Sequence, residues 1–171
     1  MTTMIRMLRS LLTALALVVL LGFLTRPDSG MGTVEIRFEP QVSGQVLVLN
    51  NQLYHVPEGD SFYLDVLRFY VSDVQLKGKG ILYREQDSHH LIDAEESGSQ
   101  TVVLKNVPTG CYEMLSFNIG TDSLTNVSGA MGGDLDPTKG MYWAWNSGYI
   151  NAKIEGRSNA CKTLHQAFNF H

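Results

Sequence analysis

Few side chains in this 171-residue chain can do chemistry on their own: five histidines (His55, His89, His90, His165, His171), two cysteines (Cys111, Cys161) and two tryptophans (Trp143, Trp145). Neutral imidazole is the commonest nitrogen ligand of copper, zinc and iron, so two histidines and one further donor would make an ordinary transition-metal site. His165 and His171 share parity in His165-Gln-Ala-Phe-Asn-Phe-His171, which reads as an alternating strand with Phe168 and Phe170 on its other face. Six strand residues put about 20 Å between the two imidazoles, so at most one of them joins a given site while the strand runs straight. His90, beside His89, sits in a polar stretch and reads as surface; His55, two residues before Pro57, reads as a turn histidine.

The cysteines lack the C-x-x-C spacing of a metal site. A disulfide closing a loop of about fifty residues and a pair of free thiols both fit the sequence. No nucleophile elbow, phosphate loop or His-Glu-x-x-His motif is present, and no convergent acid–base set, so the chain reads as a non-enzyme. Asp122, Asp134 and Asp136 do not follow the EF-hand pattern and read as helix caps and Asx-turns.

Both tryptophans fall in one stretch, Asp134 to Gly156, entered through Asp136-Pro137 and Lys139-Gly140 and broken at Ser147-Gly148. Strand geometry would put Met141, Trp143 and Trp145 on one face, with Tyr142 and Ala144 on the other. Two adjacent indoles are costly to leave in water, so they pack in a core or line a site.

The elements that must hold these groups are strands. Thr33-Val-Glu-Ile-Arg-Phe-Glu39 alternates, with Val34, Ile36 and Phe38 on one face. Val46 to Leu49 and Leu53 to His55 are short runs between turns. Phe62 to Leu76 is β-branched and aromatic without helical periodicity, and reads as a strand pair or one long bent strand. Ile81–Tyr83 and His90–Asp93 follow, then Thr101–Val107 and Cys111–Thr121 around the Pro108-Thr-Gly110 turn. Asp122 to Asp136 is a loop of roughly fifteen residues, long enough to carry function. Tyr149–Glu155 and the final run from His165 close the set. Nine or ten short strands with frequent turns predict an all-β, antiparallel β-sandwich, Ig-like or jelly-roll-like. A strand that stops on His171 without a tail reads as a truncated copy of a longer frame.

Residues 1–26 differ from the rest. Arg6 and Arg9 precede an apolar run from Leu11 to Leu24, the form of a signal peptide, with an uncleaved N-terminal anchor as the competing reading. The chain is therefore expected in the periplasm or otherwise exported, touching a membrane only through that segment. Removing Arg6, Arg9 and Arg26, with no acid among residues 1–26, takes the formal charge from −4 to −7. An acidic domain without basic clusters excludes nucleic-acid binding.

An ordered set of landmarks spans residues 33–171. Phe69-Tyr-Val-Ser-Asp-Val-Gln-Leu76 comes first, then Leu91-Ile-Asp93, Val107-Pro-Thr-Gly-Cys-Tyr112 and Phe117-Asn-Ile-Gly-Thr-Asp122. Asn126-Val-Ser-Gly129, Leu135-Asp-Pro137, Gly140-Met-Tyr-Trp-Ala-Trp-Asn-Ser-Gly-Tyr149, Lys153-Ile-Glu-Gly156 and the terminal Phe170-His171 follow. This resembles the MbnP-like family of exported copper-binding proteins, in the form found in Bacteroidetes-type bacteria. The resemblance implies copper held by histidine together with kynurenine, which a partner dihaem peroxidase makes by oxidising a tryptophan. Carried over, the modified residue is Trp143 or Trp145, and His171 matches the histidine of a C-terminal His-Ile/Leu-Gly motif whose other residues are missing here. The family's methanotroph-like branch has a second histidine after the loop asparagine, where this chain has Val127, and the four-cysteine pattern of another branch is absent. His55, His90 or His165 would then supply the further ligand. The alternative function is an exported, metal-free sandwich that docks a partner protein or surface polymer through the Asp122–Asp136 loop.

Overall fold

The structure, a computed structural model, describes residues 30–57, 59–145 and 148–171, so the signal or anchor expected at 1–26 lies outside the described residues. The strands in chain order are β1 (Met31–Arg37), β2 (Gln41–Val42), β3 (Gln45–Val46), β4 (Tyr54–His55), β5 (Ser61–Gly78), β6 (Ile81–Arg84) and β7 (His89–Asp93). They continue as β8 (Thr101–Pro108), β9 (Tyr112–Ile119), β10 (Tyr142–Trp143), β11 (Gly148–Tyr149), β12 (Ala152–Ser158) and β13 (Ala167–Phe170). A short helix, α1 (Ser123–Val127), interrupts them.

β5 is the spine. The β-branched and aromatic run read from the sequence is one strand of 18 residues, not a pair. β12 pairs with its first half (Ile154 opposite Leu67) and β9 with its second (Leu76 opposite Leu115), along one edge. β4, β7 and β6 occupy the other edge, and β13 adds outside β12. All these pairings are antiparallel. β1 and β8 form a separate two-stranded sheet, Ile36 opposite Val102.

That small sheet covers one face of the main one. Val102, Leu104 and Val107 of β8 are buried against Val71, Val74, Leu76 and Ile92, with Val34, Ile36 and Phe38 alongside. Two packed antiparallel sheets make the β-sandwich expected from the strand pattern. Val71 and Val74 have opposite parity yet share this core. The reason is Asp73, which takes a left-handed φ of 51° where the β5–β9 register shifts between Ser72 and Gln75. An extra residue in one strand flips the alternation beyond it.

The opposite face of β5 and β7 carries a second core. Tyr70 and Leu91 meet Leu135, Met141, Tyr149 and Ile150, with Tyr142 and Trp143 packed against them. Much of the expected Asp122–Asp136 loop is thus a third layer, folded as α1 and a one-turn 3-10 segment at Gly133–Leu135. A second such turn, Pro137–Lys139, leads into β10. The Tyr149 hydroxyl pins it, accepting from the Met131 amide at 2.9 Å and donating to the Leu135 carbonyl at 3.0 Å. The Tyr70 hydroxyl donates to the Asp134 carbonyl at 3.2 Å, and burial pushes its pKa well above the ordinary tyrosine value.

One expectation changes, and of two open alternatives one is found. The final run is not one alternating strand: Leu164–Gln166 is a turn in which His165 and Gln166 take φ of 58° and 57°, and only Ala167–Phe170 is extended. The cysteines are free thiols at opposite ends of the spine. Cys111 adjoins Gly78, whereas Cys161 follows Ser158, which lies opposite Phe62.

Candidate metal centre

β13 folds back on β12 with Asn169 opposite Glu155 and Phe170 opposite Ile154, so His171 leaves the strand beside Lys153. Glu155 and Lys153 lie opposite Val66 and Arg68, on the same face of the sheet as Tyr70. That face also carries the third layer, whose β10–β11 ribbon brings the tryptophans over the edge of the sheet.

The result is a row of rings. Trp143 and His171 have centroids 5.3 Å apart at 47°, and Trp143 and Trp145 have centroids 5.3 Å apart at 60°. Trp143 is half-buried against the second core, while Trp145 is 79% exposed. The common face expected for Met141, Trp143 and Trp145 therefore ends early: Met141 is buried, β10 stops at Trp143, and the chain turns at Ala144 and Trp145.

His171 Nε2 lies 2.9 Å from Glu155 Oε1, and Lys153 Nζ lies 3.4 Å from the same oxygen. Partial burial raises the Glu155 pKa, but the hydrogen bond with His171 and the Lys153 charge outweigh it and hold the carboxyl below its usual range. Glu155 and Lys153 fall in the Lys153-Ile-Glu-Gly156 landmark, which by itself gives neither a chemical role. Their shared parity on a polar strand face was the usable signal.

Gly156 makes this corner possible. A Cβ there would sit 2.2 Å from the Tyr63 carbonyl oxygen and 2.6 Å from the Phe168 ring, where the β12–β5 register shifts. Asn126 anchors the tryptophan ribbon from the other side, its Oδ1 accepting from the Tyr149 amide at 2.6 Å. Asp122 caps α1 by accepting from the Thr125 amide at 2.9 Å and hydroxyl at 2.7 Å, with His89 Nε2 at 3.2 Å. The Thr125 hydroxyl and amide, more than His89, hold its carboxyl well below the ordinary value. Asp122 is thus the helix cap expected from the sequence, and Asn126 has structural work for which no expectation was stated.

The structure does not bring the other candidate histidines to His171. His55 lies opposite Ser61 on β4, and His165 lines a small cleft with Ser61, Tyr63 and Asn159. Both are at the start of β5, about seven strand residues and so roughly 20 Å from the level of His171. His90 lies on β7, across β5 and β12 from β13, about three strand spacings or 14 Å away. It bonds Glu85 through Nε2 at 2.8 Å. Val127, at the position of the branch-specific histidine, is 77% exposed and carries no donor.

Chemically, the corner offers one imidazole, one carboxylate and an indole, which has no basic nitrogen. Among the described residues no group of three or more His, Cys, Asp or Glu converges on a metal position.

The MbnP family model matches residues 31–171. The fold is similar to that of MbnP from Methylosinus trichosporium, with a TM-score of 0.63 and 17% sequence identity over 83% of this chain and 62% of that one. The chain thus spans less than two thirds of that structure's length. No curated protein matches the sequence.

Proposed function

The chain belongs to the MbnP family, and from that premise we propose that it is an exported copper-holding protein of the periplasm. Copper is its cargo, bound by His171 and by a kynurenine formed from Trp143, and the protein holds or delivers the metal without catalysing a reaction. The observation that carries this reading is the His171 ring seated 5.3 Å from Trp143. Of the two indoles, Trp143 alone has that contact.

The modification needs an oxidant, and a partner dihaem peroxidase using peroxide is the proposed source. Cleavage of the indole C2–C3 bond inserts two oxygen atoms and consumes two peroxides, releasing two waters. Hydrolysis of the resulting formamide then frees formate and leaves an aniline-type amine and a ketone. The aniline-type nitrogen has a lone pair to give a metal, whereas the indole nitrogen is a hydrogen-bond donor only.

The test is intact mass and metal content of periplasmic protein produced with such a peroxidase. The expected result is one copper per chain and a net exchange of one carbon for one oxygen. Protein that carries neither would overturn the reading. A metal-free docking module is the second reading, favoured by Leu124 and Val127, which α1 leaves exposed. It would be supported by unmodified, copper-free protein that still captures a defined partner.

A further inference from the structure

An imidazole that binds a metal must present a lone pair in a fixed direction, and the corner around His171 has a group suited to choosing which nitrogen does so. We propose that Glu155 is the positioning residue of this site: it takes the Nε2 hydrogen of His171 and leaves Nδ1 as the nitrogen that meets the metal. The proposal rests on the copper reading above and adds to it the donor atom and the residue that selects it.

A neutral imidazole carries one N–H and one lone pair, and an ionised carboxylate can only accept. Glu155 Oε1, 2.9 Å from Nε2, therefore favours the tautomer with its hydrogen on Nε2. Trp143 packs against the ring and limits its rotation, while Lys153 Nζ holds the same carboxylate oxygen from the side. Glu155 is itself fixed by strand pairing, opposite Asn169 on one side and Val66 on the other. Carboxylates behind metal-binding histidines orient the ring and raise its basicity, and their loss typically costs about ten- to a hundred-fold in affinity.

The experiment has two arms on the full domain, at a pH where His171 is neutral. In the first, nitrogen-15 NMR of metal-free protein reads the tautomer of His171. Hydrogen on Nε2 is expected in the wild type, and in Glu155→Gln, whose amide oxygen can accept the same bond; Glu155→Ala is expected to mix the tautomers. In the second, protein produced with the peroxidase and stripped of metal is titrated with copper(I) and with copper(II) against a chromophoric chelator. Glu155→Ala should weaken binding about ten- to a hundred-fold, with Glu155→Gln closer to the wild type. A wild-type tautomer with hydrogen on Nδ1 would overturn the proposal. So would Glu155→Ala protein that binds as tightly as wild type while His171→Ala has lost copper. If His171→Ala keeps its copper, the copper reading fails by itself, and the tautomer still decides which nitrogen Glu155 leaves free.

Discussion

At the scale of single residues, the contact between His171 and Trp143 divides the two tryptophans by role. Trp143→Phe retains an aromatic ring against the imidazole but has no indole bond to cleave. Protein produced with the peroxidase should then show no carbon-for-oxygen exchange and should lose copper. Trp145→Phe alters a ring that is 79% exposed and has no contact with His171 among its ring pairs, so the exchange should persist at Trp143. Peptide mass spectrometry of the two variants checks both outcomes, and a modification mapped to Trp145 in the wild type would refute the assignment. His171 and the tryptophan pair stand out in the sequence through the Trp-x-Trp motif and the terminal Phe170-His171, whereas the parity read for both runs ends at Trp143 and at the turn Leu164–Gln166. Glu155 could not be given a role. Its partnership depends on how β13 registers against β12, which the turn at Leu164–Gln166 sets and no alternation pattern encodes.

At the scale of elements, two residues hold the pieces that present the site. Gly156→Ala places a methyl 2.2 Å from a backbone oxygen of β5, so the strands must part. A loss of about 1–3 kcal/mol is expected, as for other overpacked positions, read as a lower urea midpoint. Asp122→Ala removes the cap of α1 and should cost about 1 kcal/mol at neutral pH. The pH dependence has a definite sign. A carboxylate whose folded pKa is depressed stabilises the fold above the usual unfolded value of about 3.9 and loses that contribution as pH falls through its lower folded value. Urea curves of wild type and variant should stay separated at neutral pH and converge at strongly acid pH; a gap that widens with acid would contradict the capping role. Strand existence was legible here because period-2 alternation survives in short runs. The break in that alternation at Asp73 was not, since a bulge is one residue in a left-handed conformation with no necessary sequence mark. His165 misled for the same reason: two left-handed residues turned a clean alternation into a turn.

At the scale of the whole molecule, a long spine strand separates everything attached to its two ends. The sandwich could be expected from strand spacing, but the third layer could not, because a Gly- and Asp-rich segment packs through a few anchors such as Tyr149 and Leu135 rather than through a periodic face. The same spine decides the question the cysteines left open. Cys111 sits at the Gly78 end and Cys161 beside the residue opposite Phe62. Sixteen strand residues at about 3.3 Å each give a span on the order of 50 Å, and even a bent strand leaves far more than the ~7 Å a disulfide permits. Oxidising conditions should therefore form no intramolecular bridge. Thiol titration of the native protein should find two reactive groups, with Cys111, the exposed one, reacting faster than the partly covered Cys161. Its Tm should be the same with and without reductant. A monomer that loses both thiols on oxidation and melts higher for it would mean that β5 does not keep its two ends apart.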